Sequence, residues 1–130
     1  MPALGAQPDP EGRTALLGQD RDVTTWWASK VECSAALFRL RREEIVDERE
    51  LTQLLRKLES FLEACVEIEA AEEVRRRAIR LMRSHPLRAA DALQLAAALV
   101  ACREEPASLS FVSGDRRLRT AAEKEGFTVL

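Results

Sequence analysis

The chain has 130 residues, which suits one domain with one core, residues 1–130 throughout. With 46% apolar and 32% charged residues it is too hydrophobic for a disordered chain. The formal net charge of −2, with 17 arginines against 3 lysines, excludes a global attraction to nucleic acid and leaves only local contacts.

In chain order, the first ten residues, MPALGAQPDP, carry three prolines and a glycine without helical or strand periodicity and read as a loop. A short helix is expected over Glu11 to Leu17, then a turn and a brief Val23-Thr24-Thr25 strand. From Trp26 to Arg42 the pattern is helical. Val31, Ala35 and Phe38 share one stripe and Cys33, Leu37 and Leu40 a neighbouring one, so this helix is expected to be largely buried. A second helix runs from about Asp47 to Leu62, with Leu51, Leu54, Leu55, Leu58 and Leu62 on one face and carboxylates at its positive N-terminal end.

Cys65 to Ile68 alternates like a short strand, and a charged helix follows from Ala70 to about Ser84. Pro86 interrupts, and Ala89 to Cys102 is the most apolar helix. Leu109 to Val112 is a strand, Arg116 to Glu125 a helix closed by Gly126, and Phe127 to Leu130 a last strand. Alternating strands and helices of these lengths predict an α/β domain with a parallel sheet covered on both faces.

Cys33, Cys65 and Cys102 are odd in number, far apart and embedded in apolar patterns, so buried reduced thiols of a cytosolic protein are expected. No basic stretch leads into an apolar one at the N-terminus. The Ala89 to Cys102 segment, with Asp91 and Gln94 inside it, is too short and too polar to span a bilayer.

Three acids stand inside or beside apolar runs. Glu32 has Ser29, Ala28, Ala35 and Ala36 at its i±3 and i±4 positions and no cation in helical reach, although a partner from elsewhere in the fold or exposure at a helix edge accounts for it equally well. Asp91 opens the most apolar helix, where the helix dipole and Arg88 account for it equally well. Asp115 follows a strand and precedes a helix, which suits an N-cap and also a position facing a ligand at the carboxyl end of a sheet. Brought together, the three would repel unless a cation neutralised them. Oxygen donors without histidine favour Mg²⁺ or Mn²⁺ over zinc. His85, beside Pro86, suits a surface or capping role better than catalysis.

The stretch Ser84-His85-Pro86-Leu87-Arg88-Ala89-Ala90-Asp91-Ala92-Leu93-Gln94-Leu95-Ala96 resembles the C-terminal half of VapC-type PIN domains, the ribonuclease toxins of type II toxin–antitoxin pairs. So does the tail Leu109-Ser110-Phe111-Val112-Ser113-Gly114-Asp115-Arg116-Arg117-Leu118 with Ala121-Ala122 and Gly126-Phe127, and Val31-Glu32-Cys33 looks like the family's second acidic position. The resemblance covers residues from about 11 to 130. It implies a PIN-like three-layer fold and an endoribonuclease that hydrolyses phosphodiester bonds with one or two Mg²⁺ or Mn²⁺ ions. Glu32, Asp91 and Asp115 would be the metal ligands, Ser113 a helping hydroxyl, and Arg116 and Arg88 phosphate contacts. A cytoplasmic toxin with an RNA substrate, a cognate antitoxin and a homodimeric state, and no membrane, is implied with it.

The departure lies at the start. PIN domains of this type begin with a hydrophobic strand ending in an Asp, the first metal ligand; here that central strand is expected to be missing, with codons upstream of Met1 supplying it. Asp9, between prolines, is not assigned its role. The competing expectation is a truncated or decayed PIN domain of weak activity that only binds an antitoxin or its own copies. A nucleotide-binding or receiver-like module is disfavoured, because the five glycines form no phosphate-cradling loop.

Overall fold

The computed structural model describes residues 3–5 and 23–130. The helix expected over Glu11 to Leu17, and Asp9, lie outside the described residues. The architecture is α/β: β1 (Ala3–Gly5), β2 (Val23–Trp26), α1 (Ser29–Arg42), α2 (Glu48–Glu63), β3 (Val66–Ile68), α3 (Glu72–Ser84), α4 (Ala89–Ala101), a 3₁₀ turn at Pro106–Ser108, β4 (Ser110–Val112), α5 (Arg116–Glu125) and β5 (Thr128–Val129).

The five strands form one parallel sheet in the order β3-β2-β1-β4-β5. This corrects the expectation of a missing central strand. β1 is that strand, with Ala3 opposite both Val23 of β2 and Ser110 of β4. Its three residues contain one large aliphatic side chain and sit between Pro2 and Pro8, too short a run to show alternation. Alanine and glycine also have low strand propensity. Ladders on both sides hold the segment extended, so its conformation comes from its neighbours rather than from its own residues.

Successive side chains of a strand point to opposite faces. Accordingly Phe111 of β4 enters the main core with Trp26, Val74, Leu81, Leu95, Leu99, Leu118 and Phe127. Val112 faces the other way and packs with Val23, Phe61 and Cys65. The first cluster takes in α3, α4 and α5, and α4 is the most deeply buried helix, with Ala92 and Leu95 to Leu99 all inside.

Helices α1 and α2 pack on each other as a hairpin. Asp47 caps α2 through a reciprocal capping box: its Oδ1 accepts the Glu50 N–H at 2.8 Å, and Glu50 Oε1 accepts the Asp47 N–H at 3.1 Å. The expectation that α1 is largely buried is corrected. Ser29, Cys33 and Leu37 are inside, whereas Val31, Ala35 and Phe38 face outward. In the leucine stripe of α2 only Leu51 is buried; Leu54, Leu55, Leu58 and Leu62 are half-covered. Cys33 is buried, Cys65 and Cys102 are half-buried, and none of the three is in a disulfide. Among the described residues no helix is long and apolar enough to cross a membrane.

Candidate functional site

A parallel sheet gathers the carboxyl ends of its strands on one rim, and a crevice opens where strand order reverses. In this sheet the reversal is at β1, flanked by β2 and β4, so the carboxyl ends of these three strands border the crevice, with the described segments after β2 and β4 beside it. β2 leads through a turn into α1, and β4 leads through Ser113-Gly114-Asp115 into α5. Helix N-termini carry partial positive charge and suit carboxylates.

Glu32 lies in the first turn of α1, Asp91 in the first turn of α4, and Asp115 is the N-cap of α5. The tertiary structure brings these three into electrostatic contact. Burial pushes the Glu32 carboxyl above its ordinary value, and the charge of Asp91 pushes it further. Asp91 is raised by burial first and then by Asp115, with Arg88 opposing the rise. Asp91 is thus coupled electrostatically to both of the others. The arrangement is a coupled row rather than a single nest: among the described residues, no three Asp, Glu, His or Cys side chains are placed to grip one metal ion directly.

Asp115 performs the capping role as well, its Oδ1 accepting the Leu118 N–H at 2.9 Å, which leaves its second oxygen unused by the cap. Ser113 is buried and its Oγ accepts the Asp115 N–H at 3.0 Å, so the hydroxyl fixes the loop that presents Asp115. Arg119 Nη1 donates to the Ser113 carbonyl at 3.0 Å from the far side. Arg88 and Arg116 are both exposed; Arg88 immediately precedes α4, and Arg116 borders an open groove with Gly114, Arg119, Thr120 and Glu123.

The donor chemistry suits a hard divalent cation, since every candidate ligand is a carboxylate oxygen and mutual repulsion is the state that such an ion relieves. Magnesium keeps several of its waters when bound, so its protein ligands need not all touch the ion. No acid directly follows β1: Gly5 is succeeded by Ala6, Gln7 and Pro8.

Sequence reasoning passed over two residues at this rim. Ser29 is buried, and its Oγ accepts the Trp26 N–H at 3.1 Å, pinning the β2–α1 turn. Trp27 is exposed beside it. The paired tryptophans carried the signal: Trp26 ends β2 and is buried, whereas Trp27 falls in the turn before α1 and is exposed.

No protein-family model matches the chain, and no curated protein matches its sequence. Solved structures do share its fold. A chain of a toxin–antitoxin complex from Klebsiella pneumoniae is 13% identical with a TM-score of 0.60, over 97% of this chain and 96% of that one. A chain of FitAB bound to an IR36 DNA fragment is 17% identical with a TM-score of 0.62, over 100% and 94%. A chain of FitAcB from Neisseria gonorrhoeae is 19% identical with a TM-score of 0.64, over 100% and 96%. At these identities the likeness establishes the fold alone.

Proposed function

We propose that this chain is the toxin of a type II toxin–antitoxin pair, a PIN-domain endoribonuclease of the VapC type that hydrolyses RNA phosphodiester bonds with Mg²⁺ or Mn²⁺. The observation that carries the reading is the position of Asp91, whose charge is coupled to Glu32 on one side and Asp115 on the other at the carboxyl rim of a parallel sheet. A fold shared nearly end to end with chains of toxin–antitoxin structures supports the toxin assignment.

In this reading Glu32, Asp91 and Asp115 hold the hydrated cation, directly or through its waters. When bound, the ion supplies charge neutralisation at the phosphate and an activated water. Ser113 keeps the Asp115 loop in place, and Arg88 and Arg116 meet flanking phosphates as planar, permanently charged donors. The α1–α2 hairpin, with Val31, Phe38 and Ile45 exposed, is the surface for self-association or antitoxin contact.

The test is RNA cleavage by the purified chain with Mg²⁺ or Mn²⁺ and with EDTA, beside an Asp91→Asn variant. Metal-dependent cleavage that falls at least about a hundredfold in the variant is expected, since misplacing a catalytic group by about 1 Å already costs that much. Cleavage undiminished by EDTA overturns the metal reading.

A second reading has one observation in its favour: the residues that directly follow β1 in sequence, Ala6, Gln7 and Pro8, include no acid. A domain decayed in this way would bind an antitoxin or its own copies without cutting RNA. Mn²⁺ that binds equally to wild type and Asp91→Asn, together with absent cleavage, selects it.

A further inference from the structure

We propose that Trp27 is a stacking platform for a nucleobase of single-stranded RNA beside the carboxylate row. The inference rests on the ribonuclease reading and names the part of the substrate that the rim grips. The protein has two tryptophans, adjacent in sequence. Trp26 is 4% exposed and belongs to the core, while Trp27 is 57% exposed. Single exposed apolar residues are ordinary on a protein surface, so exposure by itself decides nothing; three further observations do.

The first is rigidity. The Trp27 N–H donates to the Ile68 carbonyl at 2.9 Å, and the Trp26 N–H donates to Ser29 Oγ at 3.1 Å, so the backbone beneath the ring is tied to β3 and to the start of α1. The indole packs edge-on against Trp26 with ring centroids 6.3 Å apart and planes at 66°. A platform fixed before binding loses little entropy when a base settles on it.

The second is place. The Glu32 N–H bonds to the Ala28 carbonyl at 3.0 Å, closing one helical turn, and Trp27 is the residue before Ala28. One turn of rise plus one Cα step puts the Trp27 and Glu32 backbones within about 10 Å of each other. Trp27 and Glu32 thus spring from the same β2–α1 turn, and in the proposed complex a base stacked on Trp27 belongs to a nucleotide near the one whose phosphate meets Glu32.

The third is charge. Proteins that bind single strands usually combine a basic groove with aromatic platforms. This chain carries a net charge of −2 and places three carboxylates at the rim, so phosphate contacts are confined to local groups such as Arg88 and Arg116, and a stacking contact adds attraction to them. Every base has a π-face, so such a contact tolerates sequence and requires an unpaired strand, since a base inside a duplex is already stacked.

The experiment titrates a short single-stranded RNA into the full chain, with Ca²⁺ replacing Mg²⁺ to suppress cleavage, and follows tryptophan emission and affinity together. In wild type the emission of the exposed indole is quenched on binding. Trp27→Ala abolishes that quenching and weakens affinity between about five- and a hundredfold, the effect of losing one base–aromatic stack. Trp27→Phe recovers most of the affinity, and a double-stranded RNA of the same sequence gains nothing from the indole. Trp27→Gln replaces Trp27→Ala if thermal melting shows that the alanine variant is misfolded. Wild-type affinity in the folded variant overturns the stacking inference, and leaves Trp27 as a contact for a protein partner. If the wild-type chain neither binds nor cleaves RNA, the ribonuclease reading falls with it; cleavage and binding that ignore Trp27 sink the inference alone.

Discussion

His85 Nε2 lies 2.7 Å from Glu125 Oε2, joining the residue that ends α3 to the last residue of α5. The other carboxylate oxygen of Glu125 accepts from Arg77 Nη2 at 3.2 Å, and Arg77 Nε reaches Glu104 at 2.8 Å. His85 is the C-cap of α3, as its sequence context suggested, but at 8% exposure it is an interior residue rather than a surface one. A half-buried network of this kind is costly to leave half made. His85→Ala is expected to destabilise the domain by about 1–3 kcal/mol in urea unfolding. In a double-mutant cycle with Glu125→Ala the two losses should be strongly non-additive. Simple additivity would show that the 2.7 Å contact carries no energy.

The carboxylate row sets a pH dependence for the metal-free protein. Glu32 and Asp91 are both raised in the folded state from ordinary values of 4.5 and 3.8. The folded state therefore holds these protons more tightly than the unfolded one. Their favourable contribution is present below the ordinary values, declines as pH rises through them, and is gone above the raised folded values. With EDTA present, Asp91→Asn and Glu32→Gln should each raise the melting temperature at about pH 7 and flatten the decline that begins near about pH 4. Melting temperatures lowered at neutral pH would mean that the carboxylates are satisfied structural groups.

Cys33 is expected to be the least reactive of the three thiols. Burial, then the charge of Glu32, then Cys65, push it up to about 12. Because the thiolate is the nucleophile, alkylation near neutral pH should modify Cys65 and Cys102 before Cys33, with all three equal in denaturant. Peptide mass spectrometry after a timed iodoacetamide pulse reads the order. Cys33 labelled first in the folded protein contradicts its placement.

Gly126 closes α5 with φ +106°, and a Cβ there would stand 3.0 Å from Pro106 Cγ. Left-handed backbone costs other residues about 1–2 kcal/mol, and the proline ring leaves little room to relax. Gly126→Ala should lower unfolding free energy by at least about 1 kcal/mol without altering metal affinity. An unchanged denaturation midpoint would show that the turn rearranges freely.

Local chemistry made much of this protein legible from its residues. The carboxylates and leucines of Asp47 to Leu62 announce a capped amphipathic helix, Asp115 reads as an N-cap, and Gly126 marks the end of α5, all of which involve partners within a few positions. The isolation of Glu32 from any helical cation was likewise a local fact, but it left a site role, a partner elsewhere in the fold and simple exposure all open. Two features were decided only by tertiary structure. Ala3-Leu4-Gly5 becomes the central strand because β2 and β4 hydrogen-bond to it from both sides, and those partners start at Val23 and Ser110, beyond the reach of any periodicity. The spacing of Glu32, Asp91 and Asp115 depends on how three helix starts meet at one rim. Composition can say that three such charges would repel, but only packing couples Asp91 to both Glu32 and Asp115, because Coulomb energy depends on separation and burial rather than on distance along the chain.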